Sequence, residues 1–176
     1  MKENISALLK LLRTADENAA RARSKIIGCE IYELDASSLG EAAAALHSAG
    51  GFDTLETIVA SDCGALNEAG YLLAQDEARP RQHRVTTPHI ELTYIFSSSS
   101  GGARAALRSI LQKREGRIPS LCGIYPAAEL PEREIAELFG LVFSGADAAR
   151  FITDEGARGS PLLRGYEHEP DLMDGQ

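Results

Sequence analysis

Three cysteines, four histidines and the triplet Glu132-Arg133-Glu134 are residues of this chain whose types could carry chemistry. Cys29, Cys63 and Cys122 lie far apart and form no C-x-x-C pair, so no iron–sulfur or zinc motif is readable from spacing. They read as buried small apolar side chains, and an odd thiol count without a signal peptide fits a reducing cytoplasm. His47 falls in an Ala-rich stretch, and His83, His89 and His168 fall in loops or at element edges. Each reads as a surface or satisfied-core histidine. Asp62, His83 and His89 offer an acid–base set, but its support is only that polar residues follow apolar strands, as loops do anyway. Arg79-Pro80-Arg81-Gln82-His83-Arg84 has the charge to hold a phosphate but no Gly-rich turn beside it, so it reads as a solvated loop or a partner contact. No Gly-rich dinucleotide loop opening a helix is readable, and no nucleophile–base spacing rises above chance.

The triplet Glu132-Arg133-Glu134 needs a helix to position it. Pro131 suits a first helical residue, the two glutamates suit the positive helix end, and Gly140 suits a left-handed stop. Ile135, Leu138 and Phe139 then share one face. Glu132 and Glu134, two apart, point to different faces and cannot act together on one atom. Arg133 and Glu137, four apart, can pair.

Upstream, an amphipathic helix is expected from Ile5, Leu8, Leu9, Leu11 and Leu12, with Asp16 to Lys25 as its continuation or a linker. Lys25 to Leu34 reads as a strand, and Ser38 with Glu41 as a capping box opening a helix that Gly50 and Gly51 end. Leu55 to Ala60 and Gly70 to Gln75 read as strands, and Ile90 to Ser97 alternates most cleanly of all. After the Ser98–Gly102 turn, Ala103 to Gln112 suits a helix by propensity and a hairpin strand by position. The pattern gives an α+β fold: a mostly antiparallel sheet of four to five strands with helices on one face and an irregular C-terminal tail. Its expected organisation is an N-terminal helix and linker (1–24), a core domain (25–145) and an extended tail (146–176).

The balance of 18 basic against 26 acidic side chains, net −8, argues against nucleic acid or an anionic lipid surface as the main partner. Aromatics make up 6%, with no Trp, which leaves little for base stacking. No stretch has the continuous apolar run of a membrane span. At 176 residues and 44% hydrophobic, the chain has the composition of one globular domain and can bury roughly 70% of its unfolded surface.

Ile118-Pro119-Ser120, Tyr125-Pro126-Ala127-Ala128, Glu132-Arg133-Glu134 and Leu138-Phe139-Gly140-Leu141 with Phe143 and Gly145 resemble one family. It is that of the C subunit of NADH:quinone oxidoreductase (complex I) and its counterparts in membrane-bound energy-converting hydrogenases. Gly51-Phe52-Asp53, Ile90–Phe96 and Pro161-Leu162-Leu163-Arg164 with Tyr166 extend the resemblance across Gly51 to Tyr166. Leu130-Pro131 stands where the family has an aromatic pair, Ala146-Asp147 where it has His-Pro, Ala157 where it has Trp, and the tail lacks the family's Lys-Asp. These departures tilt the reading toward a hydrogenase-type or divergent member.

The resemblance implies a non-catalytic subunit of an oxidoreductase complex, without cofactor or metal of its own. It would dock on the hydrogenase-like large subunit, near the iron–sulfur small subunit, peripherally on the cytoplasmic face of the membrane. Glu132, Arg133, Glu134, Arg164 and Tyr166 are the expected partner surface, with Arg133 ion-paired across the interface or, equally, within the chain to Glu137 or a loop carboxylate. The basic stretches Arg79–Arg84 and Arg104–Arg117 mark a second place to look for docking, and the acidic tail after Glu167 is expected to be mobile. The competing reading is a stand-alone α+β binding module with no redox role.

Overall fold

The computed structural model describes residues 2–26, 28–63, 89–112, 117–146, 149–153, 158–163 and 166. Helix α1 (Lys2–Leu12) leads into strands β1 (Ala20–Ile26) and β2 (Cys29–Glu33), then helix α2 (Leu39–Ser48) and strands β3 (Thr54–Cys63), β4 (His89–Ser97) and β5 (Arg104–Gln112). Strand β6 (Arg117–Pro119), helix α3 (Glu129–Phe139) and strand β7 (Val142–Ser144) follow. One sheet runs β1-β2-β5-β4-β3, and β6 pairs with β7 separately. The fold is α+β as expected, but the main sheet is mixed: β2 and β5 pair in parallel while its other neighbours are antiparallel. A parallel pair needs a long crossover, and here α2, β3 and β4 all lie between the partners in sequence.

Strand β4, between the central β5 and the edge strand β3, supplies much of the apolar face that the helices cover. Its alternating Ile90, Leu92, Tyr94 and Phe96 are fully buried, each burial contributing about 1.5–3 kcal/mol. They meet Leu12 of α1, Leu39, Ala42, Ala43 and Leu46 of α2, and Ile135 of α3 in one core, so the helices cover one sheet face. A smaller cluster of Ala22, Cys29, Ile31 and Ala106, with Ile95 against it, lies apart from that core. Phe96 also packs on Tyr125 at 5.1 Å, and the Tyr125 hydroxyl donates to the Phe52 carbonyl at 2.7 Å, which fastens the 118–128 segment to the sheet.

Several local expectations change. The single strand Lys25–Leu34 is two strands, because Gly28 adopts φ +75° and turns the chain so that Ile26 faces Cys29. The supposed linker joins the sheet from Ala20 onward. Its entry is fixed by Asp16, whose carboxylate accepts from the backbone N–H groups of Asn18 (2.8 Å) and Asp35 (2.7 Å). The Ser38–Glu41 capping box does not form, because a 3-10 turn, Ala36–Ser38, runs directly into α2 and puts Ser38 in helical backbone, where its side chain makes no cap bond. Ala103–Gln112 is strand. Nine residues of β4 pair one for one with β5, from Ser97↔Arg104 to His89↔Gln112, and satisfying the backbone of that buried strand outweighs helix propensity. The expected strand Gly70–Gln75 and the Arg79–Arg84 cluster lie outside the described residues.

Candidate partner-facing site

Helix α3 starts two residues earlier than its proline suggests, at Glu129, after a 3-10 turn over Pro126–Ala128. Pro131 is therefore the third helical residue, still within the first turn, where a missing N–H removes no intrahelical bond. Gly140 ends the helix at φ +68°, as expected. Past it, the 158–163 segment folds back on the helix end, where the Leu162 N–H donates to the Leu138 carbonyl at 2.9 Å. A Cβ on Gly140 would come within 2.8 Å of Ser160 Oγ. That hydroxyl can rotate away, so the lasting penalty of Gly140→Ala is the left-handed backbone, about 1–2 kcal/mol. A lowered thermal midpoint is the expected result, and an unchanged one contradicts this role.

Glu132 is fully buried. Its carboxylate accepts from Ser120 Oγ (2.6 Å), the Leu121 N–H (2.7 Å) and Cys122 Sγ (3.4 Å), so it clamps the turn after β6 onto α3. Surface exposure is thus corrected for this residue: its polar atoms face inward because three donors of the chain itself surround them. Burial, more than the nearby Glu132 charge, pushes the Tyr94 phenol well above its ordinary range, and the Tyr94 hydroxyl has no hydrogen-bond partner among the described residues. Burial likewise raises the Cys122 thiol, against the lowering effect of the Ser120 hydroxyl.

The pair between Arg133 and Glu137 does not form. Arg133 reaches the Ala149 carbonyl with Nε (3.3 Å) and Nη2 (3.1 Å), and its guanidinium lies 4.8 Å from the centre of the Phe151 ring. Glu137 instead accepts from the backbone N–H groups of Phe151 (2.9 Å), Ile152 (3.1 Å) and Thr153 (2.6 Å), and from the Thr153 hydroxyl. Burial would raise its carboxyl, but the Thr153 hydroxyl and these N–H donors prevail and bring it down to about 2. These two residues of α3 thus strap segment 149–153 to the helix.

Glu134 is exposed and Tyr166 half-buried against Gly159, whereas Arg164 and His168 lie outside the described residues. Sequence reasoning missed the exposed apolar side chains on and around α3. Of seven exposed large apolar side chains among the described residues, five belong here: Leu130, Val142, Phe151, Ile152 and Leu162. Leu130 carried a signal, since it falls off the stripe of Ile135, Leu138 and Phe139.

The other candidates separate. Asp62 pairs with Ile90 and Cys63 with His89 across β3 and β4, which places Asp62 and His89 on opposite sheet faces, and His83 lies outside the described residues. The acid–base set is not assembled by the described residues. On the stretch Arg104–Arg117, Arg104 pairs with Glu56 at 2.8 Å, and Arg108 lies 3.8 Å from both Glu33 and Glu91, so the charges of these two arginines are matched within the sheet, while residues 113–116 lie outside the described residues. One further juxtaposition escaped sequence reasoning: the donor atoms of Cys63, His89 and Glu91 lie within 4.8 Å of one another.

The chain is similar to the C subunit of NADH-quinone oxidoreductase from Jannaschia sp. (strain CCS1), 38% identical over 77 residues, which are 43% of this chain and 37% of that protein. The same protein of Rhodobacter capsulatus is 36% identical over 77 residues, 43% of this chain and 38% of its own length. The matches thus span well under half the length of these curated relatives. In fold, the chain is similar to a trypsin-resistant fragment of Nqo5, with TM-score 0.58, 23% identity and coverage of 82% of this chain and 98% of the other. It is also similar to a chain of an archaeal respiratory membrane complex, the membrane-bound sulfane sulfur reductase, with TM-score 0.62, 19% identity and coverage of 92% and 85%. The model of the respiratory-chain NADH dehydrogenase 30 Kd subunit family matches residues 32–171, which takes in the whole strap and clamp region. The chain belongs to that family.

Proposed function

We propose that this chain is a structural subunit of a respiratory complex of the NADH:quinone oxidoreductase or energy-converting hydrogenase type, and that it carries no redox cofactor. It docks on the hydrogenase-like large subunit, next to the iron–sulfur small subunit, and is held peripherally at the cytoplasmic face of the membrane through that contact. Family membership supports the setting. Among the described residues, no helix is long and apolar enough to cross a membrane.

The observation that carries the docking surface is the concentration of exposed apolar side chains on and around α3, with Glu134 and Arg133 beside them. Apolar anchors with a polar rim are the usual composition of an interface centre. Glu132 and Arg133 serve this surface from behind by fixing the turn and the strap; Glu134, Tyr166 and Arg164 complete the contact. Changing Leu130 and Leu162 together to Asp leaves the core untouched, since both are about half exposed or more. Affinity for the purified large subunit is expected to fall by more than roughly tenfold, as for loss of an interface anchor. Unchanged affinity in a titration of the two proteins overturns the proposed surface.

A further inference from the structure

The ends of β3 and β4 bring a thiol, an imidazole and a carboxylate together on the sheet face opposite the one covered by the helices. Cys63 stands directly across from His89 in the antiparallel register, and Glu91 lies two residues along β4, so all three project to the same side. Their donor atoms are mutually within 4.8 Å, and His89 Nε2 is 3.7 Å from Glu91 Oε1. In a tetrahedral zinc centre with bonds of about 2.0–2.3 Å, neighbouring donors stand about 3.3–3.8 Å apart. One pair already has that spacing, and side-chain rotation of about 1 Å closes the rest.

His89 is buried, and Cys63 and Glu91 are half-buried, so the site is sheltered yet reachable. The other Glu91 oxygen, Oε2, lies 3.8 Å from Arg108 Nη1, and Arg108 Nε donates to Thr93 Oγ1 at 3.3 Å. That leaves Oε1 to face His89 and gives the carboxylate the outer support that metal ligands commonly have. The donor set also selects its ion. Calcium and magnesium take oxygen ligands, whereas thiolate with imidazole suits zinc and its borderline neighbours.

We propose that Cys63 Sγ, His89 Nε2 and Glu91 Oε1 bind a single Zn2+-class ion, with the fourth position left for water. Bound there, the ion cross-links β3 to β4 at their ends and stabilises the folded chain by an amount that grows with the logarithm of its free concentration above Kd. The site stands apart from the docking surface and does not depend on it.

The test uses the full chain, reduced and stripped of metal, titrated separately with Zn2+ and Co2+. One equivalent is expected to bind, with a thiolate-to-cobalt charge-transfer band in the Co2+ form and a thermal midpoint that rises with Zn2+. Cys63→Ser is expected to abolish the band, and Glu91→Gln to weaken binding by more than about tenfold. Far-UV circular dichroism confirms that each variant is folded; should His89→Gln fail to fold, Cys63→Ser, at a half-buried position, still decides. Absence of saturable binding by the parent chain overturns the proposal, as does an unchanged cobalt band in folded Cys63→Ser, which assigns the thiolate to another cysteine.

Discussion

Glu132→Ala is expected to destabilise the chain by about 2–4 kcal/mol. The Leu121 N–H, buried and bonded to this carboxylate at 2.7 Å, loses its acceptor, which costs about 1–3 kcal/mol, and the removed side chain leaves a void of order 1 kcal/mol in a fully buried position. Ser120 can turn its hydroxyl elsewhere, being only half-buried, so it adds little. Glu132→Gln retains one acceptor oxygen and is expected to cost about half as much. Urea unfolding of the three proteins measures this directly. Glu132→Ala within about 0.5 kcal/mol of the parent, a figure typical of neutral surface changes, removes Glu132 from the role of clamp.

The second large effect is local. Glu137→Ala releases segment 149–153, because the N–H groups of Phe151, Ile152 and Thr153 all donate to that one carboxylate. Hydrogen-exchange protection of these three amides is expected to fall by about tenfold or more while β4 keeps its own. If the proposed docking surface is right, affinity for the large subunit is expected to fall with it, since the strap presents Phe151 and Ile152. Acid gives an independent check. The folded-state carboxyl titrates at about 2, below the ordinary 4.5, so its stabilisation is complete above pH 4.5 and is lost as the pH drops from there through about 2. In Glu137→Gln the strap amides are expected to lose this acid-dependent step. Unaltered protection at 151–153 in Glu137→Ala contradicts the strap.

The elements legible in the sequence were those whose pattern is local. Strand β4 declares itself by its period of two, and α3 by its first-turn carboxylates and its terminal glycine. What stayed hidden depended on residues far away in sequence. Arg133 and Glu137 look like a helical ion pair until the 149–153 segment, more than ten residues later, offers each a better partner. Ala103–Gln112 carries helix propensity, and only the edge of a buried strand decides otherwise. The motifs from Ile118 to Gly145 together carried the family resemblance, yet the first glutamate of the triplet they enclose looked like surface because charged residues are seldom fully buried. The thiol, imidazole and carboxylate at the sheet end were invisible as a group, since Cys63 and His89 are brought opposite each other by strand register alone.

The parallel pairing of β2 with β5 also sets an order of events during synthesis. Ala105 lies 75 positions after its partner Glu30, with α2, β3 and β4 all in between. The β1–β2 hairpin must therefore wait with one edge open while the ribosome delivers everything through Gln112, and only then can the sheet be completed. A nascent chain stalled before β5 holds a hairpin with an unclaimed backbone edge.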